Sequence, residues 1–283
     1  IEALLVKAGM KDCKPAPTPV STTFVFTKED SPKTELEVAD MHDEAKWYRS
    51  ILASTIYIVK WTRPDCQFAL SKFGKFQRNP GKVHVQGLKR FIRYLKGTAN
   101  YKLVYNFSTP APRNGIYAYF DSAHNDDVDT GRSTMAYLVF YGGCLLSWFS
   151  KLHTMVTTST NHSEYVASAK CAREAAWWDK ICVALRIEES SFRPIATFSD
   201  SNGAICMNYN PVHHEANKHV ALADHYARER VELGFITVTY VPTKEMLADA
   251  LTKALCLAQW VYLVCQFLHC GKQQEQQKHL QQQ

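Results

Sequence analysis

Apolar positions in the first half of the chain recur at steps of three and four residues, which is typical of helices with one buried face. The positions that recur in this way between residues 44 and 62 are Tyr48, Ile51, Leu52, Thr55, Ile56 and Val59. A second helix is predicted after Pro64, and Asn79-Pro80 ends it. A third helix has the clearest apolar face, which consists of Leu88, Phe91, Ile92 and Leu95. These patterns predict a small helical segment over residues 44–112.

After residue 102 the apolar residues form short runs, and these predict strands at 103–107, 116–120, 135–141 and 144–149, with a glycine hairpin turn between the last two. Beyond these strands, predicted helices and strands alternate along the chain. The helices are predicted at 163–186, from Asn202, at 222–233 and at 244–255, and the strands at 195–199 and 235–241. Strands followed by alternating helices and strands indicate an α/β domain with a mixed sheet and flanking helices, over residues 113–256.

The two ends of the chain differ from these regions. Prolines and then charged residues occupy residues 1–43, which predicts an extended connector. Residues 257–283 are interpreted as a tail, and its Gln-rich end is expected to be disordered.

Composition narrows the class of protein. The 283 residues are 46% hydrophobic, which is enough for a sizeable core. The net charge of +6 is compatible with a protein that binds the phosphates of nucleic acid. Nine cysteines without a CxxC pair predict buried free thiols in a reducing compartment. With no secretory signal and no apolar run of membrane-spanning length, we expect a cytoplasmic or nuclear protein with no membrane partner.

Four carboxylates carry the candidate chemistry: Asp121, Glu164, Asp200 and Asp249. Asp121 and Asp200 each end an apolar run that predicts a strand, and an acid there is costly to desolvate without a cation or a donor. Converging carboxylates repel one another, and divalent cations relieve that repulsion. Taken singly, Asp200 also suits a helix N-cap and Asp249 an exposed helix position. Together the acids predict a metal-dependent phosphodiester hydrolase.

The third predicted helix carries basic residues away from its apolar face, namely Lys89, Arg90, Arg93 and Lys96. A solvated basic face is the plainer interpretation, and we favour it. A surface that binds phosphates is the alternative, which an adjoining nuclease site would support.

The residues around the four acids, and several segments upstream, resemble the end of the reverse transcriptase, the connection segment and the ribonuclease H domain of copia-type retrotransposon Pol polyproteins. The matching segments include Tyr48-Arg49-Ser50-Ile51-Leu52, Arg93-Tyr94-Leu95-Lys96-Gly97-Thr98, Tyr119-Phe120-Asp121, Ser147-Trp148-Phe149-Ser150-Lys151, Ser163-Glu164-Tyr165, Ser199-Asp200-Ser201-Asn202-Gly203, Lys218-His219, Tyr240-Val241-Pro242-Thr243 and Leu247-Ala248-Asp249, followed by Thr252-Lys253.

This resemblance implies a ribonuclease H-like fold and hydrolysis of the RNA strand of RNA–DNA hybrids, with two Mg²⁺ or Mn²⁺ ions. It implies that Asp121 bridges both ions, that Glu164 and Asp200 complete their ligand shells, and that Asp249 positions the ion on the nucleophile side. The implied partners are the hybrid and the reverse transcriptase and integrase of the polyprotein, with virus-like particles in the cytoplasm as one location. The candidate nucleic-acid contacts that it adds are Ser201, Asn202, Lys218 and His219.

The chain departs from the family pattern beside two of the acids. Ser122-Ala123-His124 follows Asp121 where the family has Ala-Asp-Trp, and His162-Ser163 precedes Glu164 where it has Glu-Ala. These changes support an alternative, a decayed and non-catalytic nucleic-acid-binding remnant. An integrase is a third hypothesis, but integrases generally place their Glu last. No Tyr-x-Asp-Asp polymerase motif occurs, so we do not expect the chain to polymerise DNA.

Overall fold

A computed structural model describes residues 1–106, 115–187, 193–210 and 225–271 of the chain. Its helices are α1 (Glu2–Lys7), α2 (Glu35–Asp40), α3 (His42–Thr62), α4 (Gln67–Gly74), α5 (Lys82–Gly97), α6 (Thr160–Ala184), α7 (Asn202–Tyr209), α8 (Tyr226–Glu232) and α9 (Leu257–Val264). Its strands are β1 (Ile116–Asp127), β2 (Arg132–Tyr141), β3 (Cys144–Leu152), β4 (Ile195–Ser199) and β5 (Ile236–Tyr240). Within the ranges described, no helix has the length and apolar character that a membrane span requires.

The chain divides into two compact units. The first contains residues 1–103 together with the end of the chain from residue 253, and the second contains residues 104–252. The sequence prediction placed its limits instead at residues 44–112 and 113–256, and those limits stay a prediction.

The first unit is helical, and α5 supplies much of its core. The four predicted apolar residues of α5, from Leu88 to Leu95, are all completely buried. The Tyr48 hydroxyl of α3 donates a hydrogen bond of 2.8 Å to the backbone carbonyl of Phe73 at the end of α4. The helix α3 ends at the residue before Arg63-Pro64, because a residue that precedes proline is disfavoured in helical geometry.

A buried ion pair follows the end of α3. The guanidinium of Arg63 donates hydrogen bonds of 2.9 and 2.6 Å to the two carboxylate oxygens of Asp65. It also donates to the backbone carbonyl and the hydroxyl of Thr98, and the Tyr94 hydroxyl donates to Asp65 at 2.6 Å. Such a pair is tolerated in a core when its remaining donors and acceptors are satisfied, as here. It joins the turn after α3 to the end of α5.

The first unit contains helices that the sequence prediction lacked. The predicted connector includes α1 and α2, and α2 begins with a capping box in which Thr34 accepts from the Glu37 N–H and the Glu37 carboxylate accepts from the Thr34 N–H. The predicted tail contains α9, whose Trp260 is buried with its ring centroid 6.1 Å from that of Tyr94.

The second unit is built on a five-stranded sheet with strand order β3-β2-β1-β4-β5. Strands β1, β2 and β3 pair antiparallel, whereas β4 pairs parallel with β1 and β5 pairs parallel with β4. The turn between β2 and β3 consists of Gly142 and Gly143, with φ of 53° and 83°. Glycine adopts these left-handed conformations without strain, so the hairpin forms where the sequence predicted it.

Helix α6 packs on the sheet through small side chains. Alternate residues of β1, from Ile116 to Phe120, form a core with α6, whose buried residues there include Ala167, Cys171, Ala172 and Ala175. Small residues let the helix approach the sheet closely, which fixes the start of α6 near the parallel strands.

The predicted fold class, a ribonuclease H-like mixed sheet with flanking helices preceded by a helical segment, is confirmed. Two local predictions are wrong. Residues 103–106 form no strand, since the nearby pairing is one isolated bridge between Lys102 and His269. The stretch predicted as a helix at 244–255 forms two short 3₁₀ turns, Thr243–Glu245 and Leu247–Leu251, because successive turns are held by i to i+3 hydrogen bonds.

Candidate metal centre

Two of the four predicted acids lie at the ends of paired parallel segments. Tyr119 of β1 pairs with Phe198 of β4, so the same register continued by two residues sets Asp121 beside Asp200. The sequence also suited Asp200 to a helix N-cap, but that position belongs to Ser201, whose hydroxyl accepts from the Ala204 N–H. The position of Asp200 is thus set by the sheet.

Glu164 joins these two acids from the first turns of α6. Carboxylate oxygens of Asp121, Glu164 and Asp200 all lie within 4.8 Å of one another. Asp121 and Glu164 are buried, and Asp200 is half-buried. The structure therefore brings together three of the four predicted acids in one cluster, which we call the acidic centre.

The electrostatics of the acidic centre fit a cation. Burial, together with the charges of Asp121 and Asp200, raises the pKa of Glu164 well above its usual value, although the Ser122 N–H donates to its carboxylate and lowers that pKa. One oxygen of this carboxylate, Oε2, is buried without a hydrogen-bond partner among the residues that the structure describes. Three carboxylates with a buried free oxygen form a set of hard ligands that suits Mg²⁺ or Mn²⁺.

Asp249 lies outside this group of mutually close oxygens. It sits in the 3₁₀ turn Leu247–Leu251 and is 3% exposed, so the exposed helix position that its sequence also suited does not apply. The next residues connect this turn to the sheet. The Thr252 hydroxyl donates a hydrogen bond to Oδ2 of Asp121, and the Ser150 hydroxyl of β3 donates to the Leu251 carbonyl at 2.6 Å.

Sequence reasoning missed the hydroxyl of Thr252 and the side chain of His153. His153 is buried, its Nε2 lies 3.5 Å from the Ser122 hydroxyl, and burial followed by the charge of His162 lowers its pKa to about 4. His153 is therefore neutral at neutral pH. In the sequence, His153 lies four residues after the predicted strand at 144–149, and this position is only a weak signal.

The unusual neighbours of Asp121 are accommodated within β1. The strand continues past Asp121, which pairs with Ala136, and Ser122 pairs with Met135. His124 lies with its Nδ1 3.3 Å from the Thr157 hydroxyl and 3.4 Å from that of Ser133. The departures from the family pattern therefore leave the strand that carries Asp121 intact.

The predicted basic face of α5 makes contacts within its own unit. Arg93 donates to the backbone carbonyls of Lys14 and Pro15, and Lys96 donates to those of Lys11 and Cys13. In the same way, Arg90 donates to the Thr18 hydroxyl, and the ammonium of Lys89 lies 5.7 Å from the ring centroid of Trp47. Arg90, Arg93 and Lys96 therefore hold the segment at residues 11–18, and contact of the four basic residues with nucleic acid stays a prediction.

Of the other four residues predicted to contact nucleic acid, the structure describes two, Ser201 and Asn202. Ser201 caps α7, and Asn202 is exposed at the first position of that helix, one residue further from Asp200. Lys218 and His219 lie outside the described residues. His225, a further histidine of that region, has its Nδ1 2.9 Å from the Tyr165 hydroxyl.

The fold and the acidic centre define an α/β protein with an all-oxygen candidate metal site. The chain is 31% identical over 255 residues to the retrovirus-related Pol polyprotein from transposon TNT 1-94 of Nicotiana tabacum, a match that covers 90% of this chain and 18% of that polyprotein. It is 33% identical over 252 residues to the corresponding polyprotein from transposon RE1 of Arabidopsis thaliana, with 89% of this chain and 16% of that polyprotein covered. Homologues of the chain are thus retrovirus-related Pol polyproteins from plant transposons, and the chain spans less than a fifth of the length of these two relatives.

The solved structures that match this chain include ribonucleases H. Ribonuclease H1 from Halobacterium salinarum matches with a TM-score of 0.34 and 18% identity, covering 49% of this chain and 95% of that one. The N-terminal ribonuclease H domain of a Mycobacterium tuberculosis protein matches with a TM-score of 0.35 and 14% identity, covering 50% and 91%. No family model matches the chain.

Proposed function

We propose that the chain is the ribonuclease H module of a retrotransposon Pol polyprotein and hydrolyses the RNA strand of RNA–DNA hybrids during reverse transcription. The observation that carries this proposal is the acidic centre, where Asp121, Glu164 and Asp200 converge within 4.8 Å. Similarity to transposon Pol polyproteins supports it, as does the order Asp-Glu-Asp-Asp of the acids along the chain.

Two divalent cations, Mg²⁺ or Mn²⁺, would be held by Asp121, Glu164 and Asp200, with Asp249 as the fourth acid of the set. When bound, such cations supply Lewis-acid stabilisation of the phosphate and of the leaving oxygen, and they make water a nucleophile at neutral pH. The chain itself contributes position. The parallel pairing of β1 and β4 holds Asp121 and Asp200 side by side. Glu164, on α6, is buried, and a charged carboxylate in a buried position is costly without a cation.

Substrate contact near Asp200 forms part of the same proposal. Asn202 is exposed and lies two residues after Asp200, which supports contact of its amide with a sugar or phosphate of the hybrid. Ser201, Lys218 and His219 complete the proposed contacts. The reverse transcriptase and the integrase of the longer polyprotein are its proposed partners.

The test is cleavage of a labelled RNA–DNA hybrid by the purified 283-residue chain in Mg²⁺ or Mn²⁺. We expect the parent to cut the RNA strand, and Asp121→Asn and Asp200→Asn to lose about a hundredfold or more, since changes to groups that only support a metal ligand already cost about 10–100-fold. Asp127→Asn is the matched control, because Asp127 is a buried acid of the same strand outside the acidic centre, and it should cleave as the parent does.

Three other outcomes have defined meanings. Cleavage that survives in both variants would contradict the role of the carboxylates. An inactive parent with intact fold would favour the decayed, non-catalytic remnant. Cutting of duplex DNA in place of the hybrid would favour an integrase-like nuclease.

A further inference from the structure

We propose that Thr252 is a positioning residue of the acidic centre, whose hydroxyl holds the Asp121 carboxylate in the orientation that binds a divalent cation. This role rests on the proposed function in one respect, namely that the acidic centre binds a divalent cation. It assigns a role to a side chain that is neither one of the four acids nor a candidate substrate contact.

The hydroxyl of Thr252 has one proton and two acceptors within reach. It donates to Oδ2 of Asp121, and it lies 3.4 Å from the Asp249 carbonyl oxygen. A hydrogen bond to a charged carboxylate is stronger than one to a neutral carbonyl, so the proton is directed to Asp121. Both residues are buried, with Thr252 at 0% exposure and Asp121 at 1%, so water does not compete for this bond.

The position of Thr252 is set by groups other than Asp121. The Thr252 N–H donates to the Asp249 carbonyl at 3.2 Å, and the preceding residue, Leu251, accepts the 2.6 Å hydrogen bond from the Ser150 hydroxyl of β3. The turn that carries Asp249 is therefore anchored to the sheet at Leu251. A hydroxyl held in this way can orient Asp121, whereas a freely rotating one could not.

This orientation matters because Asp121 faces two other carboxylates. Without a cation, repulsion by the Asp200 carboxylate favours rotation of the Asp121 carboxylate away from it. The hydrogen bond from Thr252 at Oδ2 opposes that rotation. Groups that support metal ligands in this way typically change metal affinity by about 10–100-fold when removed.

The experiment measures Mn²⁺ binding to the full chain by titration calorimetry, and the Mg²⁺ concentration that half-saturates hybrid cleavage. Thr252→Val keeps the shape and removes the hydroxyl, and we expect it to weaken Mn²⁺ binding about 10-fold to 100-fold and to raise the half-saturating Mg²⁺ similarly. Thr252→Ser restores the hydroxyl and should return the affinity to within about threefold of the parent.

Thr197→Val is the matched control. Thr197 is 1% exposed and donates a hydrogen bond of 2.8 Å to the Thr237 carbonyl in the same unit, so its loss has a similar structural cost away from the acidic centre. It should lower thermal stability to a similar extent as Thr252→Val and leave Mn²⁺ affinity unchanged.

Each outcome decides the proposal. Parent-like Mn²⁺ affinity in Thr252→Val, or equal losses in the Val and Ser variants, would overturn it, as would a parent that binds no Mn²⁺. If Mn²⁺ binding depends on the Thr252 hydroxyl while the parent cleaves no hybrid, the positioning role stands and the proposed function fails. If the parent cleaves the hybrid and Thr252→Val matches it in both measurements, the proposed function stands and the positioning role fails.

Discussion

Burial acts in opposite directions on the pKa of two side chains near the acidic centre. It raises the pKa of Glu164 and lowers that of His153, and in both cases it favours the neutral form. For Glu164 the nearby carboxylates add to burial, and a cation would reverse both effects. For His153 the charge of the neighbouring His162 adds to burial, and both effects disfavour a proton on His153.

The histidine predicts how stability depends on pH. The pKa of His153 is about 4 in the folded chain and about 6.5 when unfolded, so between these values the unfolded chain binds the extra proton. The contribution of His153 is therefore complete above pH 6.5 and is lost as pH falls towards 4, by roughly 3 kcal/mol in total. Denaturation followed at several pH values, with a metal chelator present, should show this slope.

His153→Gln separates this effect from other acid-sensitive groups. Glutamine does not titrate, so the variant should show a shallower loss of stability between pH 6.5 and 4 than the parent. The same slope in both proteins would mean that His153 is protonated in the folded chain as readily as in the unfolded one.

At the scale of elements, two glycines beside neighbouring helices differ in what surrounds them. Gly81 precedes α5, and a Cβ there would lie 1.7 Å from the backbone carbonyl oxygen of Asp30. Gly74 ends α4, and a Cβ there meets nothing within 4 Å. The first glycine allows the segment around Asp30 to cross close to the start of α5, whereas the second has no such role.

This contrast predicts opposite effects of one substitution. Gly81→Ala should destabilise the chain by at least about 2 kcal/mol, because backbone must move to admit the methyl group. Gly74→Ala should stabilise it by about 0.5 kcal/mol, because alanine restricts the unfolded chain and favours helix. Urea denaturation followed by far-UV circular dichroism measures both. A Gly81→Ala variant as stable as the parent would show that Asp30 does not approach so closely.

At the scale of the whole molecule, the first unit is assembled from both ends of the chain. The N-terminal helices form one part of it, and α9 returns from beyond residue 253 to supply the rest. Trp260 of α9 is 3% exposed and contacts Tyr94 of α5 edge to face. The bridge between Lys102 and His269 joins the same two parts through backbone hydrogen bonds of 3.2 and 2.9 Å.

A pair of tryptophans tests this assembly. Trp260→Ala should destabilise the first unit by about 3–5 kcal/mol, since it empties a buried site. Trp61→Ala is the control: Trp61 belongs to the same unit but is 61% exposed, so its loss should stay within about 0.5 kcal/mol. Limited proteolysis and denaturation report the difference. Equal, small effects of both substitutions would place α9 outside the core of this unit.

Local patterns were enough for much of the fold. The apolar face of α5, the glycine hairpin and the limits of β4 at residues 195 and 199 were all predicted, because each depends on side chains close together in sequence. The alternation of strands and helices likewise determined the class of the second unit. The helix α2 was missed although its capping box can be read from the sequence at Thr34 and Glu37.

By itself, the sequence determined which acids are present, their order, and the elements that carry them. Only the tertiary structure decided which of them meet: Asp121, Glu164 and Asp200 are separated by 43 and 36 residues, and the pairing of β1 with β4 and the packing of α6 bring them together. It also placed Asp249 on a 3₁₀ turn and the Thr252 hydroxyl on Asp121. The physical reason is that a periodic pattern reports which face of an element is buried, whereas contacts between distant residues depend on how those faces pack.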